Sequence, residues 1–349
     1  MSVVKKIFGF LLIFLVIVAF SACTKKIDRS WTIKFSGGFL PEGVFKYYLK
    51  ESYGKAVDIL SSAEISPDTF SRQQIEGKSF DDWIKTDAIK SCEDLLTLEH
   101  MFRAENLKFT EIEVKNIDSI TDDVYNSAVQ DFNKLGIGKE DIKKAYSECR
   151  IMYQKLYDYY YGSNGKFPIG EESMQKYYSD NYACYSTINK YLIDDDQSSL
   201  EESAEVSPET ISKAKNQFDN YISKINSGEK TFKEIADVFK KDENLDSDPI
   251  VTDTVNLNFA NIPDQLLDKL KNIDYGKADY IIFEGMIMCF CKNKLEDLNT
   301  NESIREEVFF NVKRNEFYDT ISKEKNSLKI ETNTEYLKEF TPSIIFKET

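Results

Sequence analysis

Residues 176–193, KYYSDNYACYSTINKYLI, decide the fold of this chain. They begin as the tyrosine-rich end of a helix and continue, from Tyr185 to Ile193, as a segment whose composition favours a β-strand. The sequence before them is dominated by helical periodicity, whereas the sequence after them mixes helix and strand patterns. Because the chain then closes with another long helix, the mixed part is predicted to be a small α/β unit inserted into a helical body.

The segment before residue 176 is predicted to be a short strand followed by helices. Alternation at 31–35 predicts the strand, and apolar residues at helical spacing make 81–107 the longest predicted helix. Thr110 and Glu113 have the spacing of a capping box, which opens the next helix. A further helix is predicted from Ile142 to Tyr159, so this region carries several apolar helix faces that must pack together.

The segment after residue 193 is predicted to combine helices with a small sheet. An acidic loop at 194–206 precedes a helix opened by Ser207 and Pro208, and Thr231 with Glu234 form the capping box of a second helix. Residues 280–291 are predicted to form paired β-strands. The chain ends with a predicted helix from Ile304 to about Ser327 and a short edge strand at 328–330.

The first 22 residues are predicted to be a signal peptide. Lys5 and Lys6 precede an apolar run from Ile7 to Phe20 that is shorter than the roughly 20 residues needed to span a bilayer. The run ends in Phe20-Ser21-Ala22-Cys23, which resembles the cleavage box of bacterial lipoproteins. We therefore expect a lipid on Cys23 and a body tethered to the membrane outside the cytoplasm. An ordinary secretory signal with an incidental Cys23 is the alternative.

The N-terminal part carries KYYLK on a helix and then WIKTDAIKSCEDLLTLEHMFRAENLKFTEIEV, and two later stretches read GEESMQKYYSDNYA and NSGEKTFKEIADVFKKD. In this order the stretches resemble PrsA- and SurA-like extracytoplasmic folding factors. The N-terminal part is similar to the SurA-type chaperone domain of that family, and the two later stretches are similar to junctions of its parvulin-type prolyl isomerase domain. The resemblance implies an α+β fold with a helical SurA-N-like chaperone domain at 23–175, an inserted parvulin-like domain at 176–296, and a segment 297–349 that packs back on the first.

The isomerase chemistry of the family depends on two histidines, and neither expected position carries one. The first falls at about Tyr191 and the second at about Ile287, so the parvulin-like domain is expected to be catalytically degenerate. Lowering the rotation barrier of an X-Pro bond, roughly 18–20 kcal/mol, requires a shaped pocket. The sequence shows no residues that would form one, and it calls for no cofactor.

Composition limits the other partners of the chain. The net charge of −15 argues against nucleic acid, because phosphate binding needs a basic face. Cys289 and Cys291 are interpreted as core residues of a strand, with a metal or redox role as the alternative. The lone His100 lacks a marked nucleophile or orienting acid, and the acidic loop does not match a calcium-binding pattern, so no metal site is predicted.

Clustered tyrosines provide the positive evidence for a binding function. Adjacent tyrosines on one helix cannot all face the same way, so some are expected to be exposed and to contact unfolded polypeptides. The candidate contact residues are Tyr47, Tyr157, Tyr160, Tyr161 and Tyr177. The alternative for each of them is a place in the core.

The sequence therefore favours a membrane-tethered extracytoplasmic chaperone that holds unfolded secreted proteins, with a parvulin-like unit that lacks isomerase activity. A homodimer is left open. The first alternative is an active, divergent prolyl isomerase that uses Tyr191 and Cys289. The second is a ligand-binding or structural surface lipoprotein whose helix order is coincidental.

Overall fold

The computed structural model describes residues 27–192 and 206–346, which form two units of mixed helix and sheet. The described residues of the first unit are 27–167 and 315–346, and those of the second are 168–192 and 206–314. The α+β class agrees with the expectation. The signal peptide, Cys23 and the acidic residues 194–205 lie outside the described residues.

Short strands and long helices make up the N-terminal part of the first unit. In chain order these elements are β1 (Ile33–Phe35), β2 (Gly38–Leu40), α1 (Glu42–Ser62), β3 (Gln74–Ile75), β4 (Lys78–Ser79), α2 (Phe80–Ala104), α3 (Glu111–Ser127), α4 (Val129–Leu135), α5 (Lys139–Ile142) and α6 (Cys149–Tyr161). The predicted long helix is confirmed as α2, and its apolar face, with Ile84 and Leu95 fully buried, packs along α1. The capping box before α3 is also confirmed, since Thr110 and Glu113 bond reciprocally.

A wide helical turn separates α5 from α6, and the sequence did not predict it. Residues Lys143–Glu148 form a π-helical segment, in which backbone carbonyls are displaced from their usual α-helical partners. The carbonyl oxygen of Ala145 accepts a hydrogen bond of 2.7 Å from the hydroxyl of Tyr48. The segment thus joins the α5–α6 helix to α1 through a polar contact inside the first unit.

A four-stranded antiparallel sheet with helices forms the second unit. Its elements are α7 (Glu171–Asn181), β5 (Tyr182–Tyr191), α8 (Pro208–Ser227), α9 (Phe232–Asp242), β6 (Val251–Asn256), α10 (Asp264–Asn272), β7 (Ala278–Phe283), β8 (Met286–Asn293) and α11 (Glu302–Val312). The strand order is β6-β5-β8-β7, so the two strands farthest apart in sequence are central. The predicted caps of α8, at Ser207, and α9, at Thr231 with Glu234, are confirmed. Strand β6 lies between α9 and α10 in the chain.

The C-terminal part returns to the first unit. It contains α12 (Arg314–Ser327), β9 (Glu331–Thr332), α13 (Thr334–Leu337) and α14 (Pro342–Ile345). Strand β9 pairs with β1 and begins directly after the predicted edge strand at 328–330. The single helix predicted over residues 304–327 is wrong, because Lys313 leaves helical geometry and separates α11 from α12.

The boundaries of the two units differ from the domains expected at 23–175, 176–296 and 297–349. Helices α7 and α11 both belong to the second unit, because their apolar faces share one core. Arg305 on α11 donates two hydrogen bonds, of 2.9 and 2.6 Å, to the carboxylate of Glu171 on α7. Burial of these two faces holds α7 and α11 together within the second unit.

Candidate functional site

The central sheet of the second unit has one fully covered face. Alternate residues of the strands, among them Ile188 on β5 with Ile287 and Cys289 on β8, point to this face and are completely buried. Helices α8 and α9 cover it with Phe218 and Phe239. This covered face is the main core of the unit and offers no access to a ligand.

Among the described residues, the cover of the opposite face lies at one end. There Leu266 and Leu270 of α10 pack on Tyr185, Ile281 and Phe290, all of which are buried. Because side chains alternate along a strand, the same face continues past these residues toward the end of β5 and the β7–β8 hairpin. We call that continuation the open face.

Three adjacent side chains form a row across the open face, which we call the aromatic row: Tyr191, Met286 and Phe283. In the register of the sheet Tyr191 lies opposite Met286, and Met286 lies opposite Phe283. Directly opposed residues have Cβ atoms about 5 Å apart, so Met286 lies next to both Tyr191 and Phe283 on this face. Tyr191 is 64% exposed and Phe283 is 37% exposed, and Met286 is half-buried between them.

A two-residue turn fixes this row. Glu284 and Gly285 both have positive φ, of 47° and 70°, as a type I′ hairpin turn requires. The turn places Phe283 directly opposite Met286. The carbonyl oxygen of Gly285 also accepts a hydrogen bond of 2.8 Å from the backbone N–H of Leu192, which holds the end of β5 against the hairpin.

A polar atom without a partner lies beside the row. Asn189 is the preceding residue of β5 on the open face, opposite Met288. Its Oδ1 is buried, and no described residue donates a hydrogen bond to it. Buried polar atoms are nearly always satisfied, so this acceptor stands out as a place where a bound group could donate.

The two positions expected for the isomerase histidines do not form one site. Tyr191 lies on the open face, whereas Ile287 is paired with Lys190 and lies on the covered face, where it is 0% exposed. Cys289, the second residue of the alternative isomerase hypothesis, is also on the covered face, and burial raises the pKa of its thiol. Strand alternation therefore separates Tyr191 from both residues.

Three of the five candidate contact tyrosines are buried, so their predicted exposure was wrong. Tyr47 packs against Phe132, and Tyr157 and Tyr161 pack edge-on against Phe317 of α12. Phe132 and Phe317 thus bury these tyrosine rings in the core of the first unit, which the pattern of a single helix does not show.

The other two candidates, Tyr160 and Tyr177, are half-buried and keep part of their surface free. The hydroxyl of Tyr160 donates to a carboxylate oxygen of Glu105 at 3.3 Å, and the ring of Tyr177 lies 6.4 Å from that of Tyr182. Sequence reasoning missed Phe283, Met286 and Asn189. The dipeptide Glu-Gly between two apolar runs was a signal that could have found the hairpin.

The remaining polar candidates show no catalytic arrangement. Nε2 of His100 is 3.2 Å from a carboxylate oxygen of Glu324, and its ring meets Phe35 edge-on, as expected of a boundary residue. Cys291 is buried in a core position, as predicted, and Cys92 is buried as well. Within residues 27–192 and 206–346, no group of three histidine, cysteine or acidic side chains is arranged to hold a metal ion.

No helix among the described residues has both the length and the apolar character needed to cross a membrane. No family model and no curated protein matches the chain. Among solved structures, the chain is similar to the foldase protein PrsA from Streptococcus pneumoniae, at 11% identity over 85% of this chain and 87% of that one, with a TM-score of 0.34. It is also similar to the foldase protein PrsA from Lactococcus lactis, at 12% identity over 91% and 98%, with a TM-score of 0.35. Both are proteins of the kind that the sequence resembles.

Proposed function

We propose that this protein is a chaperone that holds unfolded polypeptides and that its sheet unit binds them without isomerising prolyl bonds. The observation that carries this proposal is the aromatic row on the open face, next to the unpartnered Oδ1 of Asn189. The row presents apolar side chains on a chain whose net charge is −15. An exposed apolar surface with a polar surround is the usual form of a protein-binding site.

The chemistry of the row suits loose and sequence-tolerant binding. Tyrosine offers an apolar ring with a polar edge, and the unbranched methionine adapts its shape to different partners. Among the described residues, the row lies exposed on a sheet face, whereas small-molecule sites are concave and bury most of their ligand. An unfolded segment that passes over the row is the occupant that fits this shape.

The absence of isomerase activity is proposed from the geometry of the strands. Tyr191 lies on the open face, whereas Ile287 and Cys289 both lie on the covered face. A catalysed rotation would need a desolvated pocket around the proline, and the open face is exposed at the row.

The helical unit is proposed to supply a second contact surface. Its exposed apolar side chains include Ile112 and Val114 in the first turn of α3 and Phe39 on β2. Large apolar side chains left exposed on several elements are consistent with weak contacts along an extended client. Tyr160 and Tyr177 stay in the proposal as partly exposed contacts, the second of them in the sheet unit.

The location is proposed from the sequence of the first 23 residues. A lipid on Cys23 would tether the body to the outer side of a cytoplasmic membrane, where secreted proteins emerge unfolded. On this proposal the helical unit corresponds to the SurA-N-like domain and the sheet unit to the degenerate parvulin-like domain. Dimer formation stays open within the proposal.

Two assays on the chain from Cys23 onward test the function. The first follows light scattering when a chemically denatured enzyme is diluted in the presence of the protein, and the second follows isomerisation of a proline-containing tetrapeptide. We expect suppression of scattering and no isomerisation. Replacement of two row residues, Tyr191→Ser with Phe283→Ser, is expected to remove most of the suppression, whereas the control Phe259→Ser, at a phenylalanine that is 58% exposed elsewhere in the unit, keeps it.

Rapid isomerisation without suppression would replace the holding function by an enzymatic one. If the protein shows neither activity but binds a small molecule specifically, the ligand-binding lipoprotein would be favoured. Equal loss of suppression in the row variant and in Phe259→Ser would remove the row from the proposal.

A further inference from the structure

Strand β7 is an edge of the four-stranded sheet, so half of its backbone groups point away from it. In the tight hairpin Phe283 and Met286 form a hydrogen-bonded pair, and at the other end the N–H of Lys292 donates to the carbonyl of Lys277. The odd-numbered residues of β7 therefore direct their backbone groups toward β8. The residues between them direct their N–H and C=O groups outward, away from the sheet. These residues are Ala278, Tyr280 and Ile282.

The outward groups are protected at one end of the strand. Both groups of Ala278 bond to the side-chain amide of Asn226 on α8, at 2.8 and 3.0 Å. The N–H of Tyr280 donates to the carboxylate of Asp279 at 2.8 Å. Such capping prevents the pairing of an exposed edge with another strand.

Protection stops at Ile282. Neither its N–H nor its C=O has a hydrogen-bond partner among the residues that the structure describes. The next residue is Phe283, a member of the aromatic row, so the uncapped stretch of backbone is continuous with the exposed apolar side chains. Free main-chain donors and acceptors beside an apolar surface are what a sheet edge needs in order to bind a peptide as an added strand.

We propose that an extended polypeptide segment binds as a fifth strand beside Ile282 and Phe283. Its main chain bonds to the outward groups of Ile282, and its side chains on the open face contact Phe283. The inference deepens the proposed function and depends on it, because it states how a client is held. Recognition through the main chain explains tolerance of client sequence, since every residue except proline supplies the same donor and acceptor.

Charge favours a neutral or basic client segment over a second copy of this chain. Asp219, whose carboxylate interacts with the hydroxyl of Tyr280, and Glu284 are exposed on either side of the uncapped stretch. Two copies paired edge to edge would bring the same acidic residues together, which opposes association, whereas lysine or arginine in a client would be attracted.

The other edge strand, β6, fits this role less well. By the same alternation its outward residues include Thr252 and Thr254, and the N–H of Thr254 donates to Asp253 at 2.8 Å. Its exposed middle is polar, so an added strand there would gain little apolar burial. The uncapped part of β7 is the edge that adjoins the aromatic row.

The decisive variant is Ile282→Pro in the chain from Cys23 onward. Proline at this outward-facing position removes the free N–H but leaves the hydrogen bonds between β7 and β8 intact, as at other edge positions that accept proline. The control Ile282→Ala also loses the side chain but keeps the N–H. Circular dichroism and thermal melting of both variants establish that the sheet is retained.

Binding is measured by fluorescence anisotropy with a labelled peptide of alternating valine and lysine, and with the same peptide N-methylated at its central amides. We expect Ile282→Pro to weaken binding of the plain peptide about tenfold relative to Ile282→Ala, the equivalent of one lost hydrogen bond. N-methylation should weaken binding to the unchanged protein by a similar factor and add little further loss in Ile282→Pro.

Equal affinities of the proline and alanine variants, or an undiminished affinity for the methylated peptide, would overturn strand addition. If the protein still suppresses client aggregation in that case, the proposed function stands and only its binding mode is wrong. If the protein neither binds the peptide nor suppresses aggregation, both proposals fail. Stronger binding of an alternating valine and glutamate peptide would contradict the charge argument.

Discussion

The side-chain amide of Asn226 forms two hydrogen bonds with the backbone of Ala278, donating from Nδ2 to the carbonyl at 3.0 Å and accepting from the N–H on Oδ1 at 2.8 Å. It occupies the place that a neighbouring strand would take. In addition, Nζ of Lys277 donates to the backbone carbonyl of Asn226 at 2.6 Å, so the end of α8 is fastened to the edge of β7. The edge is thus closed at Ala278 and uncapped at Ile282.

Removal of this cap is expected to destabilise the second unit and to promote self-association. Asn226→Ala deletes both hydrogen bonds, each of which contributes about 0.5–1.5 kcal/mol, so the free energy of unfolding in urea should fall by roughly 1–3 kcal/mol. The newly exposed edge should also raise light scattering at high protein concentration. The control Asn220→Ala changes an exposed asparagine on the same helix. Unchanged stability and scattering in Asn226→Ala would show that the cap has no such role.

The ion pair between α7 and α11 predicts a loss of stability in acid. Hydrogen bonds from Arg305, with a further one from Gln175, lower the pKa of Glu171 to about 2. A lowered pKa in the folded state means that the stabilisation is complete above the ordinary glutamate pKa of about 4.3 and is lost as the pH falls toward 2. The thermal midpoint measured from pH 7 to pH 2 should therefore decline less steeply in Glu171→Gln than in the unchanged protein. A parallel decline in both proteins would contradict this assignment, and the neighbouring, exposed Glu172→Gln is the control.

The ring of Phe317 is expected to be essential to the first unit. It is fully buried and packs edge-on at 5.3 Å from Tyr157 and at 5.0 Å from Tyr153. Phe317→Ala leaves a cavity, and such changes usually cost 3–5 kcal/mol in the free energy of unfolding. Chemical denaturation measures the effect, with the exposed Lys323→Ala on the same helix as control. A loss below about 1 kcal/mol would mean that α12 does not complete this core.

Four thiols with a raised pKa are expected to resist alkylation in the native protein. Burial raises the pKa of Cys149 and of Cys291 to about 11, and it raises the pKa of Cys92 and Cys289 as well. Since the thiolate is the reacting form, a thiol reagent at pH 8 should label these residues only after unfolding. Mass spectrometry of native and guanidinium-treated samples gives the readout. Rapid native labelling of Cys289 or Cys291 would support the redox alternative considered from the sequence.

Local signals predicted much of the fold because their causes lie within a few residues. The capping boxes at Thr110 and Thr231 depend on a glutamate three positions later, and both were found from the sequence. The face that a strand residue occupies depends instead on distant pairing. Ile287 is placed by its partner Lys190, and a shift of one residue would have moved it to the open face beside Tyr191.

The candidate site was therefore only partly predictable. Tyr191 was singled out from the sequence, but as a replaced catalytic position and not as part of an exposed row. The tyrosines at 157 and 161 are buried by Phe317, which lies far along the chain, so their own helix could not reveal it. Burial of a helix face is a tertiary property, which explains why apolar spacing alone misassigned the contact surface.

The β7–β8 turn gives a prediction that separates stability from binding. Glu284 has a φ of 47°, a left-handed conformation that asparagine adopts more readily than glutamate, and Asn-Gly is the preferred pair for this turn. Glu284→Asn should therefore stabilise the second unit, by about 0.5–1 kcal/mol in urea unfolding. The same change removes one of the acidic groups beside Ile282, so it should weaken binding of a valine and lysine peptide while leaving a valine and threonine peptide unaffected. Glu302→Asn changes an exposed glutamate at the start of α11, away from the hairpin, and controls for net charge. If binding of the two peptides falls equally, Glu284 acts through the shape of the hairpin and not through its charge.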